Sequence, residues 1–151
     1  LMISYISGRG EVPAVFDRYM SALAASLCFI GLPAVASERN DVMVNGRKVS
    51  GNAFHQLPDR SIVHGTLLYS TDMGALTEAI RPPVEKLQRH GVESVRQRVM
   101  NLSDYKDVSP VLASAESLEN HLVSWFTDGE ITLTPDQMAA IEEIEKEYQI
   151  Y

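Results

Sequence analysis

Cysteine is almost missing from this 151-residue chain: Cys28 stands alone. It can form no internal disulfide, and a reducing compartment, the cytoplasm by default, is the expectation. No run of 18 or more apolar residues occurs, so these residues contain no membrane-spanning helix and no membrane partner is expected. Leu1-Met2-Ile3-Ser4-Tyr5 has neither a basic flank nor a long apolar stretch and does not read as a secretory signal. An excess of positive charge is also missing, and a formal net charge of −7 argues against nucleic acid as the main partner. His55, His90 and His121 share no ligand spacing with any partner, so a zinc site is not expected. What is present, 45% hydrophobic and 22% charged residues, suffices for one core and one soluble domain.

The apolar spacing lays out an α+β domain. Val12, Val15, Phe16, Tyr19, Leu23, Leu27 and Ile30 recur at three- and four-residue steps and predict a long amphipathic helix closed by Gly31-Leu32-Pro33. Residues 2–6, 34–44, 47–55 and 61–69 read as strands. Residues 72–80 form a short helix stopped by Pro82-Pro83, and 84–90 another closed by Gly91. Leu102-Ser103-Asp104 reads as a cap region. A helix over 114–126 follows, with Leu118, Leu122, Trp125 and Phe126 inward. Ile131-Thr132-Leu133 is too short to assign. Thr134-Pro135-Asp136 opens a last helix that has no stop signal at its end, and residue 2 begins a strand with no leading turn. The chain reads as cut at both ends. Charge is uneven along it: residues 81–106 hold six Lys/Arg against three Asp/Glu, and 128–147 hold seven Asp/Glu against one lysine. The basic stretch is either a solvated face or a docking surface for an acidic partner.

The stretch from Arg39 to His55 carries the most information. Asn45-Gly46 is a strong signal for a two-residue hairpin turn, because both central positions of that turn need positive φ. Val42 and Val44 alternate on one side of it, and Lys48 and Ser50 are expected to share a face on the other. Ser50-Gly51-Asn52-Ala53 supplies small residues that let a ligand approach the backbone. A cation and donors on a rigid hairpin suit a phosphate or an activated carboxyl. Each residue also has an ordinary use: Lys48 as an exposed strand lysine, Asn40-Asp41 as a turn before a strand, Gly51 as a β-bulge. His64, in His64-Gly65-Thr66 on the next strand, suits either a general base or a half-buried structural role.

The spacing Arg39-Asn40-Asp41…Gly46-Arg47-Lys48-Val49-Ser50-Gly51 resembles the signature of the lipoate–protein ligase family, within the wider biotin/lipoate ligase group. The similarity continues through Asp59 to Leu68 and through Gly91 to Leu102. It implies a biotin/lipoate ligase-like fold: a mostly antiparallel sheet packed with helices, of which residues 1–151 form the C-terminal portion of a single catalytic domain. It implies activation of lipoate by ATP, with Mg²⁺, to lipoyl-adenylate. The acyl group then passes to a lysine of a carrier domain, on 2-oxoacid dehydrogenases or the glycine cleavage H protein. Lys48 would be the catalytic lysine, stabilising charge on the α-phosphate and carboxyl as the mixed anhydride forms and breaks. Asn40 would bond the nucleotide and Asp41 hold Mg²⁺. Ser50, Gly51, Asn52 and Ala53 would contact the acyl-adenylate, and His64, Gly65 and Thr66 would line the ligand pocket.

Two departures from the family pattern qualify that reading. Related octanoyltransferases that use an acyl-cysteine have a cysteine where Ser61 stands here, and Cys28 reads as a small core residue on the apolar helix. A thioester mechanism of that type is therefore disfavoured, and an ATP-independent octanoyl or lipoyl transferase of the same fold stands as the second reading. The family's upstream Arg-Arg-x-x-Gly-Gly-Gly loop has no match; Gly8-Arg9-Gly10 is too short. A small C-terminal accessory domain is missing as well. A third reading follows, a non-catalytic binding subunit that works beside a second chain or segment bearing the glycine-rich loop.

Overall fold

A computed structural model describes residues 1–79 and 98–148. The helix expected over 84–90, the segment 91–97 and most of the basic stretch lie outside the described residues. Among the described residues five antiparallel strands form one sheet: β1 (Met2–Gly8), β2 (Ala34–Ala36), β3 (Asp41–Val44), β4 (Arg47–Gln56) and β5 (Arg60–Leu67). Their order across the sheet is β1-β5-β4-β3-β2. The helices are α1 (Val12–Phe29), α2 (Met73–Ala79), α3 (Ala115–Phe126) and α4 (Pro135–Tyr148), with short 3₁₀ turns at Leu102–Tyr105 and Pro110–Ala113. The α+β architecture expected from the residues, a mostly antiparallel sheet packed with helices, is the one observed.

Helix α1 covers one face of the sheet. Val15, Tyr19, Leu23 and Leu27 are buried at steps of four and meet Val42, Val44, Val49 and Val63 in one core. Gly31 ends the helix at φ +93, its N–H donating to the Cys28 carbonyl and that of Leu32 to Leu27, so the last carbonyls are satisfied by a Schellman closure. Asp72 caps α2 by accepting from Gly74 N at 2.7 Å and Ala75 N at 3.2 Å. Thr134 and Gln137 cap α4 reciprocally, at 2.9 and 3.3 Å, although every described residue of α4 is exposed.

Several expectations are corrected. The strand predicted over 34–44 is two strands folded back on each other, because Ser37 turns the chain. Its hydroxyl accepts from Arg39 N and Asp41 N, both at 3.2 Å, and its own N–H donates to the Asp41 carbonyl. Trp125 does not point inward with Leu118 and Leu122; it is 38% exposed and packs on Phe29 and His121. Cys28 is exposed rather than a core residue, its thiol donating to the Ala34 carbonyl at 3.2 Å.

Candidate functional site

The site begins at the hairpin turn. Asn45 (φ 49) and Gly46 (φ 74) both adopt the left-handed conformation a two-residue hairpin requires. Beyond it the β3–β4 ladder slips by one residue: Met43 pairs with Lys48, but Val42 pairs with Ser50. That bulge leaves Val49 and Ser50 both fully buried and reverses the facing of everything after it. Lys48 and Ser50 therefore do not share a face. Lys48 comes instead onto the side of Gly51, where a Cβ would lie 2.8 Å from its Nζ and 2.9 Å from its Cε. The Cα hydrogen of Gly51 leaves the room in which the ammonium sits.

Paired residues of an antiparallel sheet point the same way, so the ladder sorts the remaining candidates into two faces. One row across the sheet is Asp41, Gly51, Thr66 and Met2; a second is Ala53, His64 and Ser4. With Lys48 these side chains occupy the face that α1 does not cover. Lys48 Nζ lies 2.7 Å from Asp41 Oδ1, and both side chains are partly exposed. This is a close charge pair rather than an aligned hydrogen bond, since that buried oxygen has no hydrogen-bond partner. Thr66 Oγ1 donates across to the Gly51 carbonyl at 3.4 Å. His64 Nδ1 shares a 2.9 Å hydrogen bond with Ser4 Oγ on β1, which holds the ring and leaves Nε2 to solvent or a ligand.

Ser50, Asn52 and Gly65 belong to the other, covered face. Ser50 Oγ donates to Asn52 Oδ1 at 3.2 Å, and both residues are buried. Asn40 and Asn52 lock reciprocally: Asn40 Nδ2 donates to the Asn52 carbonyl at 2.7 Å, and Asn52 Nδ2 and N donate to the Asn40 carbonyl at 3.0 and 2.9 Å. These bonds tie the turn before β3 to β4 beside Asp41. Gly65 is a close-packing point, because a Cβ there would stand 2.1 Å from Asn52 Oδ1 and 2.6 Å from the Tyr19 hydroxyl. That hydroxyl is buried without a partner, and burial pushes the Tyr19 phenol up to about 12.

Sequence reasoning missed three supports. Ser4 gives no local signal; its role depends on β1 lying beside β5. Tyr19 reads only as one apolar position of α1. The main chain of Lys48 is held from outside the hairpin: its carbonyl accepts from Met100 N at 3.0 Å, and Val99 bridges to it in parallel. Among the described residues no three His, Cys, Asp or Glu side chains gather as metal ligands. Ser61 is buried on the covered face, its hydroxyl 3.4 Å from Gln56 Oε1 and from Gly10 N.

Residues 1–127 match the model of the lipoyl protein ligase A/B catalytic domain. A probable lipoate-protein ligase A of Mycoplasma genitalium is 37% identical over 123 residues, covering 79% of this chain and 35% of that protein. Among solved structures, a bipartite lipoate protein ligase from Thermoplasma acidophilum, studied with its E2 lipoyl domain, superposes at TM-score 0.79 with 25% identity. The match covers 96% of this chain and 58% of that one. A lipoate-protein ligase A bound with ATP shares the fold at TM-score 0.74, 22% identity and 96% and 60% coverage. The chain thus spans about a third of the curated relative and under two thirds of these solved chains.

Proposed function

The chain belongs to the lipoyl protein ligase A/B catalytic-domain family, and on that footing we propose that its open sheet face is the lysine-bearing wall of a lipoate-activating site. The observation that carries the proposal is Lys48 itself: the bulge seats its ammonium over Gly51, with Asp41, Thr66 and Ala53 in the adjoining rows. In this reading ATP and lipoate bind across that face. Lys48 leaves Asp41 for the α-phosphate and the carboxyl oxygen, stabilising negative charge as the mixed anhydride forms and again as a carrier lysine attacks it. Gly51 and Ala53 leave the backbone open to the acyl-adenylate. Ser50, Asn52 and Gly65 act from behind by fixing the strands, and Asn40 by fixing the turn that presents Asp41. His64, oriented by Ser4, lies on the same face and is placed to take a proton from the attacking amine.

Mg²⁺ fits this face only in company. A single carboxylate already engaged by an ammonium makes no dedicated cation site, and the ion would be held mainly by the nucleotide's phosphates with Asp41 adding one oxygen after Lys48 leaves it. The chemistry it would supply is neutralisation of phosphate charge.

The acyl acceptor in this reading is a lipoyl carrier domain, as on 2-oxoacid dehydrogenases or the glycine cleavage H protein. Exposed Arg98 and Lys106 belong to the basic stretch that would steer an acidic domain in. A complementing segment would supply the phosphate-cradling glycine loop, for which the described strands offer no equivalent. Incubation with lipoate, ATP and Mg²⁺ tests the proposal: pyrophosphate and lipoyl-adenylate are expected when that segment is added and not from the chain alone. ATP-independent transfer from an octanoyl donor would instead favour the transferase reading. Buried Ser61 and the distant, carbonyl-bonded thiol of Cys28 provide no nucleophile for an acyl-enzyme route.

A further inference from the structure

The tip of the Lys48 hairpin runs past the strand beside it. β5 accompanies β4 only as far as Val49: Ser50 pairs with Leu67, and Leu68 N donates to the Val49 carbonyl at 2.8 Å. At Lys48 the segment Val99–Tyr105 takes over. Val99 bridges Lys48 in parallel, and Met100 N donates to the Lys48 carbonyl at 3.0 Å. At the turn itself, Asn45 Nδ2 donates to the Tyr105 hydroxyl at 2.6 Å, across 60 positions of sequence. The segment is itself anchored. Met100 and Leu102 are buried, and Leu102 N and Ser103 N donate to the Leu68 and Tyr69 carbonyls at 2.8 and 2.9 Å. The Asn101 side chain brackets Thr71, accepting from its N–H at 2.9 Å and donating to its carbonyl at 3.0 Å. Tyr105 packs on the same core, and its hydroxyl reaches the turn.

We propose that Tyr105 is a positioning residue for Lys48, acting through the Asn45 amide. The proposal rests on the reading of Lys48 as the catalytic lysine and names what holds it on target. A two-residue turn fixes how its strands connect, but not how the tip leans against the rest of the sheet. A two-stranded ribbon is only marginally stable by itself, so the lean is set by what the tip touches. The Met100 bond fixes one point, at Lys48, and the Tyr105 bond fixes a second, at the turn. Two attachments define an orientation where one leaves a hinge. The lean matters because the ammonium is aimed with little slack. Its Nζ lies 2.7 Å from Asp41 Oδ1, and 2.8 Å from where a Gly51 Cβ would stand. A misplacement of about 1 Å at a reacting group can cost about 100-fold in rate. Neither Asn45 nor Tyr105 belongs to the rows that form the open face, so the pair acts on Lys48 and not on substrate.

Paired substitutions test it. Tyr105→Phe removes the hydroxyl and keeps the ring, and Asn45→Gly removes the amide and keeps a residue that accepts positive φ. On the chain alone, NMR relaxation of the Lys48 amide should give an order parameter of about 0.85 in wild type. In either variant it should fall toward about 0.6 while melting stays near wild type. In the complemented enzyme each variant should slow single-turnover lipoyl-adenylate formation about tenfold, with KM for ATP little changed. The double variant should be no slower than either single one, because all three lack the same bond. Asn45→Asp still tolerates positive φ and can accept from the phenol instead, so its rate should stay within about twofold of wild type. An unchanged Lys48 order parameter, or losses that add in the double variant, would overturn the proposal. If the complemented wild type makes no lipoyl-adenylate, the reading of the site fails instead, and the relaxation measurement alone decides on Tyr105.

Discussion

The two faces of the sheet are built from the same strands, yet they demand different things of neighbouring residues. On the covered face Ser50, Asn52 and Gly65 sit between α1 and the strands. There a change of one methyl group collides with Asn52 Oδ1 or the Tyr19 hydroxyl. On the open face Asp41, Gly51 and Thr66 form one row and Ala53 and His64 the next, with Lys48 reaching over Gly51. The bulge after Lys48 assigns consecutive motif residues to different faces. Residues contiguous in a motif can thus be separated in role, one making the site and its neighbour making the platform.

Four substitutions sharpen that contrast. Leu23→Ala, in the centre of the covered face, should cost about 2–5 kcal/mol of stability, read as a loss in denaturant midpoint at unchanged slope. Gly65→Ala should cost about 1–3 kcal/mol because its Cβ overpacks a site with no slack. Adding Tyr19→Phe to that variant should recover part of the loss by removing one of the two colliding atoms. On the open face Gly51→Ala meets only the flexible end of Lys48, so melting should shift by less than about 1 kcal/mol. Lipoyl-adenylate formation by the complemented enzyme should nevertheless fall, because the ammonium is displaced. Asp41→Asn should change stability least of the four, by about 0–1 kcal/mol, since the pair it breaks is partly exposed.

Alkaline titration separates the faces further. The Tyr19 phenol is raised to about 12 from 10.0 by burial. The folded state therefore keeps a proton the unfolded state has lost, and stability present below pH 10 should decline as pH rises toward 12. Urea melts across that range should show the decline in wild type and a shallower one in Tyr19→Phe.

Local chemistry made much of this legible from residues alone. Asn45-Gly46 announces its turn because few residue pairs tolerate two positive φ values, and the spacing of α1 announces its buried stripe. The bulge was legible only as a glycine that permits one. Where the register slips depends on β3, and that slip decides that Lys48 faces Gly51 and not Ser50. Ser4 was invisible for a similar reason: it meets His64 across 60 positions of sequence, through strand order alone. The division of 34–44 hangs on the Ser37 hydroxyl capping a turn, which alternating small residues concealed. Trp125 follows the helical period and still turns outward, because Phe29 and His121 offer it an aromatic neighbourhood beside α1.

The most direct test of the open face as a catalytic wall is Lys48→Ala in the complemented enzyme, with adenylation and transfer measured as separate single-turnover steps and melting recorded beside them. Loss of one preorganised charge should slow both steps by about 100- to 1000-fold. Lys48→Arg should rescue poorly, and stability should change by no more than about 1 kcal/mol, as the Asp41 pair is partly exposed. Near-normal rates in both steps, or unfolding on substitution, would contradict the account and make Lys48 a structural partner of Asp41.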